Sequence, residues 1–225
     1  HLSIRRQRQM CIRDRFNHEI ARGIVGQIKA PHYIVTGNHD LKRERKPGVT
    51  YPDVRRLDLN EFAEFYADAG LPGGSTRYRV DLPGGTSLIV LDSNRTLHEM
   101  AADTVDLSRQ DDGRIGGEQL EWLDGTLSGV RRDGLFPLVA CHHSITDQSP
   151  AERAGHPLQF VFRSWQAEDS AAARAILARH GVPLVLSGHL HAQSVGVEDG
   201  ITNLVTAASV SYPPVSYTHL RAHET

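Results

Sequence analysis

The sequence predicts an α/β domain. Three short apolar runs, at residues 33–35, 136–141 and 182–186, have the length and composition of buried strands. Stretches of helical periodicity separate them, and each run ends in a cluster of polar residues. Such alternation is typical of α/β folds, in which ligands bind beyond the carboxyl ends of the strands. A length of 225 residues, 39% of them hydrophobic, is enough for one domain with its own core.

The first predicted element is a helix from about residue 16 to residue 29. Apolar side chains recur in it at Ile20, Ile24 and Ile28, which is the spacing of one helix face, and a proline ends the pattern. The strand at residues 33–35 comes next and leads into a polar turn. We therefore expect a helix followed directly by a buried strand.

A capping box and a hairpin are predicted after a charged loop. Asp58 is followed three residues later by Glu61, which is the pattern of a capped helix start, and Gly70 closes this helix. Residues 77–82 and 86–91 are two strands joined by Pro-Gly-Gly, which is typical of a hairpin turn.

The second half of the sequence repeats the alternation. Helices are predicted at about 118–127 and 170–180, with strands at 136–141, 182–186, 194–197 and 203–206. The polar stretches 92–117 and 144–165 are long loops, whose length favours a role in substrate binding.

Composition excludes several classes of protein. No apolar run approaches the roughly 18 residues of a membrane-spanning helix, and a formal net charge of -2 argues against a nucleic-acid duplex as partner. Two cysteines cannot form a disulfide framework. We expect a cytoplasmic protein, with a signal peptide upstream of this sequence as the alternative. Histidine, with 13 residues, outnumbers each aromatic type and points to metal or proton chemistry where it is clustered.

Both ends of the sequence resemble translated sequencing adapter. Back-translation of residues 10–14 and 215–225 gives DNA strings whose cores are reverse complements of each other. We therefore expect non-native segments at residues 1–15 and 215–225, and a domain at residues 16–214 that is an N-terminally truncated fragment. Sequencing the locus from genomic DNA tests this expectation.

Polar clusters follow three of the predicted strands. They are Asn38-His39-Asp40, His142-His143 and His189-Leu190-His191. If these strands are neighbours in one sheet, imidazole nitrogens and an amide oxygen meet at one edge and can surround Zn, Fe or Mn. A single histidine at a strand end is more often an ordinary hydrogen-bonded residue, so the argument depends on the coincidence of three clusters.

In this order, the segments Gly37-Asn38-His39-Asp40, Cys141-His142-His143-Ser144 and Gly188-His189-Leu190-His191 resemble the calcineurin-like metallophosphoesterase superfamily. Residues 115–123 are similar to a stretch common in its bacterial phosphodiesterase-type members. The resemblance spans residues 16–214. It implies a double β-sandwich flanked by helices, a four-layer α/β/β/α fold, incomplete at the N-terminus.

The resemblance also implies a dinuclear metal site with Mn, Fe or Zn. By this resemblance Asn38, His142 and His189 bind one metal, and His191 reaches the other. We choose His142 rather than His143 as the ligand because the family's ligand lies two residues before a position often held by proline. His143 is then expected to support a ligand.

The catalytic roles follow from the same resemblance. His39, oriented by Asp40, is expected to contact the phosphate and to stabilise the transition state or protonate the leaving oxygen. The family's Asp-x-His and Gly-Asp-x-x-Asp motifs do not occur in this sequence. We therefore expect an incomplete site and an inactive fragment.

The leading hypothesis is hydrolysis of a small phosphoester, nucleotide or lipid-like, by a metal-bridging hydroxide. A phosphodiesterase and a phosphatase are both compatible, and the oligomeric state is open. The alternative from another class is a metallophosphoesterase-like binding scaffold without catalysis. A third alternative, an unrelated histidine-rich metal-binding module, does not explain why the clusters follow strands.

Overall fold

The computed structural model describes residues 15–38, 40, 57–94, 113–148, 166–191 and 193–207. The helices are α1 (Arg15–Val25), α2 (Leu59–Phe65), α3 (Gly117–Arg132) and α4 (Ser170–Arg179), with a short 3-10 helix at Pro72–Gly74. The strands are β1 (Tyr78–Leu82), β2 (Thr86–Leu91), β3 (Phe136–Cys141), β4 (Leu184–Ser187), β5 (Ser194–Glu198) and β6 (Ile201–Val205).

The described strands form one mixed six-stranded sheet in the order β1-β2-β3-β4-β6-β5. The inner pairs β2-β3, β3-β4 and β4-β6 are parallel, whereas β1 and β5 join the sheet as antiparallel edge strands. The α/β class is therefore confirmed. Because β3 and β4 are parallel neighbours, their carboxyl ends lie at the same edge of the sheet.

Helices α3 and α4 cover one face of the sheet. Leu123 and Leu127 of α3 and Leu177 of α4 are fully buried in one apolar cluster with Val139 and Val185 of the central strands. Their inward spacing is that of a helix face packed on a sheet. The central strands are buried on both faces, which explains their continuous apolar sequences.

The opposite face of the sheet packs against α2 and the segment at residues 33–35. Phe62 and Tyr66 are buried there with Val90 and Ala140. The predicted capping box of α2 is present, because Glu61 N donates to the Asp58 side chain at 2.9 Å and Asp58 N donates to Glu61 at 3.0 Å. The hairpin of β1 and β2 is also confirmed.

The segment at residues 33–35, predicted as a strand, is not a strand in the structure. It is fixed instead by two long-range hydrogen bonds: Ile34 N donates to Gly70 O at 2.7 Å, and Tyr78 Oη donates to Ile34 O at 2.7 Å. Burial raises the pKa of the Tyr78 phenol, which keeps it protonated as the donor. Tertiary contacts thus hold the backbone that leads to Asn38.

Helix α1 ends at Val25, four residues before the predicted end, and the apolar stripe predicted for this segment is exposed. Ile20, Ile24 and Ile28 are 47%, 61% and 49% accessible to solvent, whereas His18 is buried. Helix α3 runs five residues beyond its predicted end at residue 127 and adds the buried Val130 to the core. Packing accounts for the longer α3, because the added turn places Val130 in the core.

Several predictions lie wholly or partly outside the described residues. They concern the charged loop, parts of the two long loops, and nearly all of the segments assigned to adapter sequence. The proposed domain boundaries stay predictions. In the ranges described above, no helix is long and apolar enough to cross a membrane.

Candidate metal centre

The two histidine clusters lie side by side at the carboxyl ends of the neighbouring strands β3 and β4. Ala140 lies opposite Leu186 in the parallel register, so the residues that follow each strand emerge side by side. Gly188 N donates to His142 O at 3.0 Å, which extends the pairing one step beyond the sheet. The side chain of His189 is thereby held beside that of His142.

Three imidazoles meet at this edge. His142, His143 and His189 each offer a ring nitrogen, and these atoms lie within 4.8 Å of one another. The ring centroids are 4.9 Å apart for His142 and His143, 5.0 Å for His142 and His189, and 4.3 Å for His143 and His189. His143 is fully buried, and the other two are half-buried.

The side-chain amide of Asn38 joins the three imidazoles. Asn38 lies just after the segment at residues 33–35. Asn38 Oδ1 lies 3.0 Å from His142 Nε2, which in turn lies 3.2 Å from His189 Nδ1. Gly37 permits this approach, because a Cβ at that position would lie 3.1 Å from His142 Cε1 and 3.1 Å from Asp40 Oδ2. A side chain at Gly37 would therefore require the His142 ring or the Asp40 carboxylate to shift by a few tenths of an ångström.

The donor set fits a metal ion. A neutral imidazole nitrogen either carries a proton or offers a lone pair, so His142 Nε2 can satisfy only one of its contacts with Asn38 Oδ1 and His189 Nδ1 by a hydrogen bond. These three atoms would hold a cation by offering it their lone pairs. Imidazole nitrogens with an amide oxygen suit Zn, Fe or Mn.

His143 has a dedicated partner. Ser93 Oγ lies 2.9 Å from His143 Nδ1 and accepts a hydrogen bond from His143 N at 2.9 Å. Gly113 lies against the same ring, since a Cβ there would be 2.4 Å from His143 Cγ. The sequence prediction gave His143 a supporting role, whereas the structure places it among the potential ligands.

Asp40 closes the turn after Asn38. Its Oδ2 accepts a hydrogen bond from Gly37 N at 2.7 Å, and its carbonyl oxygen lies 3.2 Å from His18 Nε2. His18 Nδ1 lies 2.9 Å from Tyr66 Oη, and burial raises the pKa of this tyrosine to about 12. His18 thus supports the turn through the Asp40 carbonyl oxygen, and Tyr66 supports His18. The sequence analysis did not single out either residue for a role at this site.

The turn after β4 has an unusual backbone. His189 and His191 have φ angles of 67° and 51°, in the left-handed region that non-glycine residues rarely adopt. Leu190 N donates to Gly188 O at 2.8 Å and tightens the turn. Such conformations persist where the surroundings hold them and are concentrated at functional sites.

A buried asparagine links the loop after β3 to the sheet. Asn203 Oδ1 accepts hydrogen bonds from Ser144 Oγ and Ile145 N, each at 2.9 Å, and its Nδ2 donates to Ser187 Oγ at 3.0 Å. Asn203 is fully buried on β6. Nothing in its local sequence indicates this role, because its partners come from distant segments.

The predicted site residues differ in where the structure places them. Asn38, His142 and His189 come together, and Asp40 lies on the adjoining turn, while His39 falls outside the described residues. His191 is half-buried, and burial lowers the pKa of its imidazole. In the described part of the chain it does not belong to the imidazole cluster. The ligand and catalytic roles of these residues stay predictions.

An imidazole cluster at the carboxyl edge of a mixed sheet defines an α/β domain with a candidate metal centre. The model of the calcineurin-like phosphoesterase family matches residues 8–193 of the sequence. The chain therefore belongs to the calcineurin-like phosphoesterase family. No curated protein matches this chain.

One solved structure shares this fold. A dimetal phosphatase from Danio rerio superposes with a TM-score of 0.53 at 14% identity, over 80% of this chain and 61% of that one. The chain thus spans less than two thirds of that structure's length. GAP50, the anchor in the inner membrane complex of Plasmodium, gives a TM-score of 0.39 at 12% identity, over 71% of this chain and 42% of that one. PhoD gives a TM-score of 0.40 at 14% identity, over 68% of this chain and 34% of that one.

Proposed function

We propose that this chain belongs to a metal-dependent hydrolase of phosphoester bonds. The observation that carries the proposal is the convergence of His142, His143, His189 and Asn38 Oδ1 at the carboxyl edge of the sheet. Family membership and the fold shared with a dimetal phosphatase support the reaction class.

The chain's own residues divide into holding and supporting groups. Asn38, His142, His143 and His189 would hold the metal, which when bound supplies a Lewis acid for phosphate oxygens and an activated water as nucleophile. The buried position of His143 and its contact with Ser93 limit ring movement. The ring of His143 is therefore held in place without a metal, and such preorganisation favours metal binding.

We extend the proposal to two metal ions, Mn, Fe or Zn, with His191 directed to the second. His39 is the proposed donor to the phosphate or the leaving oxygen, with Asp40 as its partner. In hydrolysis the oxygen of water forms a bond to phosphorus, the ester P–O bond breaks, and a proton reaches the leaving oxygen. We propose a small phosphoester as substrate, and these assignments rest on the family resemblance.

The test is metal content and hydrolysis measured together. The purified chain would be incubated with Mn²⁺, Fe²⁺ or Zn²⁺, dialysed, and analysed for bound metal by mass spectrometry. It would then be assayed with bis-p-nitrophenyl phosphate as diester and p-nitrophenyl phosphate as monoester. We expect this chain to bind metal but, because the Asp-x-His and Gly-Asp-x-x-Asp motifs are missing, to hydrolyse neither ester. The product of the full-length gene, carrying both motifs, is expected to hydrolyse at least one of them.

His189→Ala should remove metal binding in this chain and turnover in the full-length product. His180→Ala is the matched control, because it deletes an imidazole outside the cluster. His180 follows the last residue of α4, and its ring pairs with Asp124. Equal metal content in His189→Ala and the unaltered chain would contradict the site. Bound metal without hydrolysis of either ester in the full-length product would favour the scaffold alternative.

A further inference from the structure

His18 is the buried side chain of helix α1, and it is polar. The structure describes every residue of this helix, and His18, at 1% exposed, is the only one among them that is buried. The apolar Ile20 and Ile24 of the same helix are exposed. A histidine buried in place of an apolar residue needs hydrogen-bond partners, because burying its ring nitrogens without them would cost free energy.

Both ring nitrogens of His18 contact residues that are distant in the chain. Nε2 lies 3.2 Å from the carbonyl oxygen of Asp40, and Nδ1 lies 2.9 Å from Tyr66 Oη. Tyr66 caps the C-terminal end of α2, and its side chain is buried. The rings of Phe62 and Tyr66 meet the imidazole edge-on, each with its centroid 5.7 Å away. His18 therefore links α2 to the turn that contains Asn38.

The partners of the ring determine where its proton lies. A carbonyl oxygen can only accept, so Nε2 carries the proton that is donated to Asp40 O. The neutral ring then offers the lone pair of Nδ1 to the hydroxyl of Tyr66, which lies closer to it than to the alternative acceptor, His18 O, at 3.4 Å. Burial raises the pKa of Tyr66 to about 12, so this phenol is protonated and can donate. Each ring nitrogen thus faces a group of the opposite hydrogen-bonding kind.

Asp40 closes the turn that presents Asn38 to the imidazole cluster. The Asp40 side chain accepts from Gly37 N at 2.7 Å, and Asp40 N donates to Gly37 O at 3.1 Å. Asn38 lies between these two residues, and its Oδ1 is 3.0 Å from His142 Nε2. A shift of the Asp40 backbone would therefore move the Asn38 amide relative to the imidazoles.

We propose that His18 is a positioning residue: its Nε2–H holds the Asp40 carbonyl oxygen, and through the turn it fixes the Asn38 amide for a metal ion. The part that concerns Asn38 rests on the proposed metal centre. The hold on the turn is a property of the metal-free chain. The two parts can therefore be tested separately.

The first experiment measures hydrogen exchange at the Gly37 amide of the metal-free chain by NMR. The amides of α3 serve as the internal reference, because they report on unfolding of the whole chain. His18→Leu removes both hydrogen bonds of the ring, and we expect Gly37 to exchange about 2- to 10-fold faster relative to α3, as loss of one hydrogen bond predicts. Tyr66→Phe, which keeps the aromatic ring of residue 66, should act in the same direction and decides the question if His18→Leu does not fold.

Two further variants separate hydrogen bonding from packing. His18→Gln keeps a side-chain N–H donor and should restore slow exchange at Gly37. His180→Leu is the matched control, because it makes the same replacement at a histidine that pairs with Asp124 outside the turn. Unchanged exchange at Gly37 in both His18→Leu and Tyr66→Phe overturns the proposal. Equal acceleration in His18→Gln and His18→Leu also overturns it, because the ring would then act by its shape rather than as a donor.

The second experiment measures metal affinity by titration with Co²⁺, followed by its visible absorption. Loss of a partner that orients a ligand commonly costs about 10- to 100-fold in affinity, and we expect the lower end, about 10-fold, for His18→Leu because it acts through the turn. His18→Gln should restore most of the affinity, and His180→Leu should bind as the unaltered chain does. Unchanged affinity in His18→Leu overturns the metal part of the proposal. If the unaltered chain binds no Co²⁺, the proposed function fails instead, and exchange at Gly37 alone decides the role of His18.

Discussion

Gly113→Ala is the most direct test of how tightly the candidate centre is packed. The added Cβ would lie 2.4 Å from Cγ and 2.5 Å from Cβ of His143, distances at which atoms overlap. His143 is fully buried, and its ring and backbone are both bonded to Ser93. The ring cannot turn aside without breaking these bonds, so either the ring or the backbone at residue 113 must shift.

The expected cost is that of an overpacked core. Inserting a methyl group into a well-packed site typically costs about 1–3 kcal/mol, and we expect Gly113→Ala to fall in this range. Gly125→Ala is the matched control, because no atom outside α3 lies within 4 Å of its added Cβ. That change should stabilise the chain by about 0.5–1 kcal/mol, since alanine is the better helix residue.

The measurement is urea unfolding of the three chains, analysed by linear extrapolation. Opposite signs for the two glycine substitutions are the expected result. If Gly113→Ala unfolds at the same urea concentration as the unaltered chain, the close packing of Gly113 on His143 is wrong. A loss of Co²⁺ affinity in Gly113→Ala, absent in Gly125→Ala, would further place the strain at the centre itself.

Three further predictions follow from buried polar groups. Asn203→Ala should lower the free energy of unfolding by about 1–3 kcal/mol in urea, because its buried partners lose their hydrogen bonds; an unchanged midpoint would contradict this. Burial raises the pKa of Asp92, so the folded chain binds the proton of this carboxyl group more tightly than the unfolded chain does. The free energy of unfolding should therefore fall as the pH rises from about 4. Asp92→Asn should therefore gain stability relative to the unaltered chain between pH 4 and pH 7, and a constant difference would refute the sign. Burial raises the pKa of the Cys141 thiol to about 11, so iodoacetamide at pH 8 should label it only in urea, as peptide mass mapping would show; equal labelling of the folded chain would oppose this.

Local elements were predictable where a few neighbouring residues set the conformation. The capping box at Asp58 and Glu61 and the hairpin between β1 and β2 follow from side-chain and turn chemistry within a few residues. The segment at residues 33–35 shows the limit of this reasoning. Its apolar residues predict a strand, but a strand also needs a partner, and its described backbone bonds go instead to Gly70 and Tyr78.

The candidate site was predictable only in outline. His142 and His189 follow apolar strands, so their meeting depended on one assumption, that the two strands are parallel neighbours. The preference for His142 over His143 rests on the family resemblance and stays a prediction, because both rings lie in the imidazole cluster. Ser93 and Gly113 are far from His143 in the chain, and no local pattern connects them with it.

The sequence by itself determined the α/β class, the family and the strand ends at which chemistry is concentrated. These properties depend on periodicity and on short motifs, and both are local. Only the tertiary structure decided which side chains share a surface: the third imidazole, the hydroxyl that orients it and the glycine that makes room for it. The physical reason is that van der Waals and hydrogen-bond contacts act over a few ångströms in space, and folding brings residues about 50 positions apart within that range.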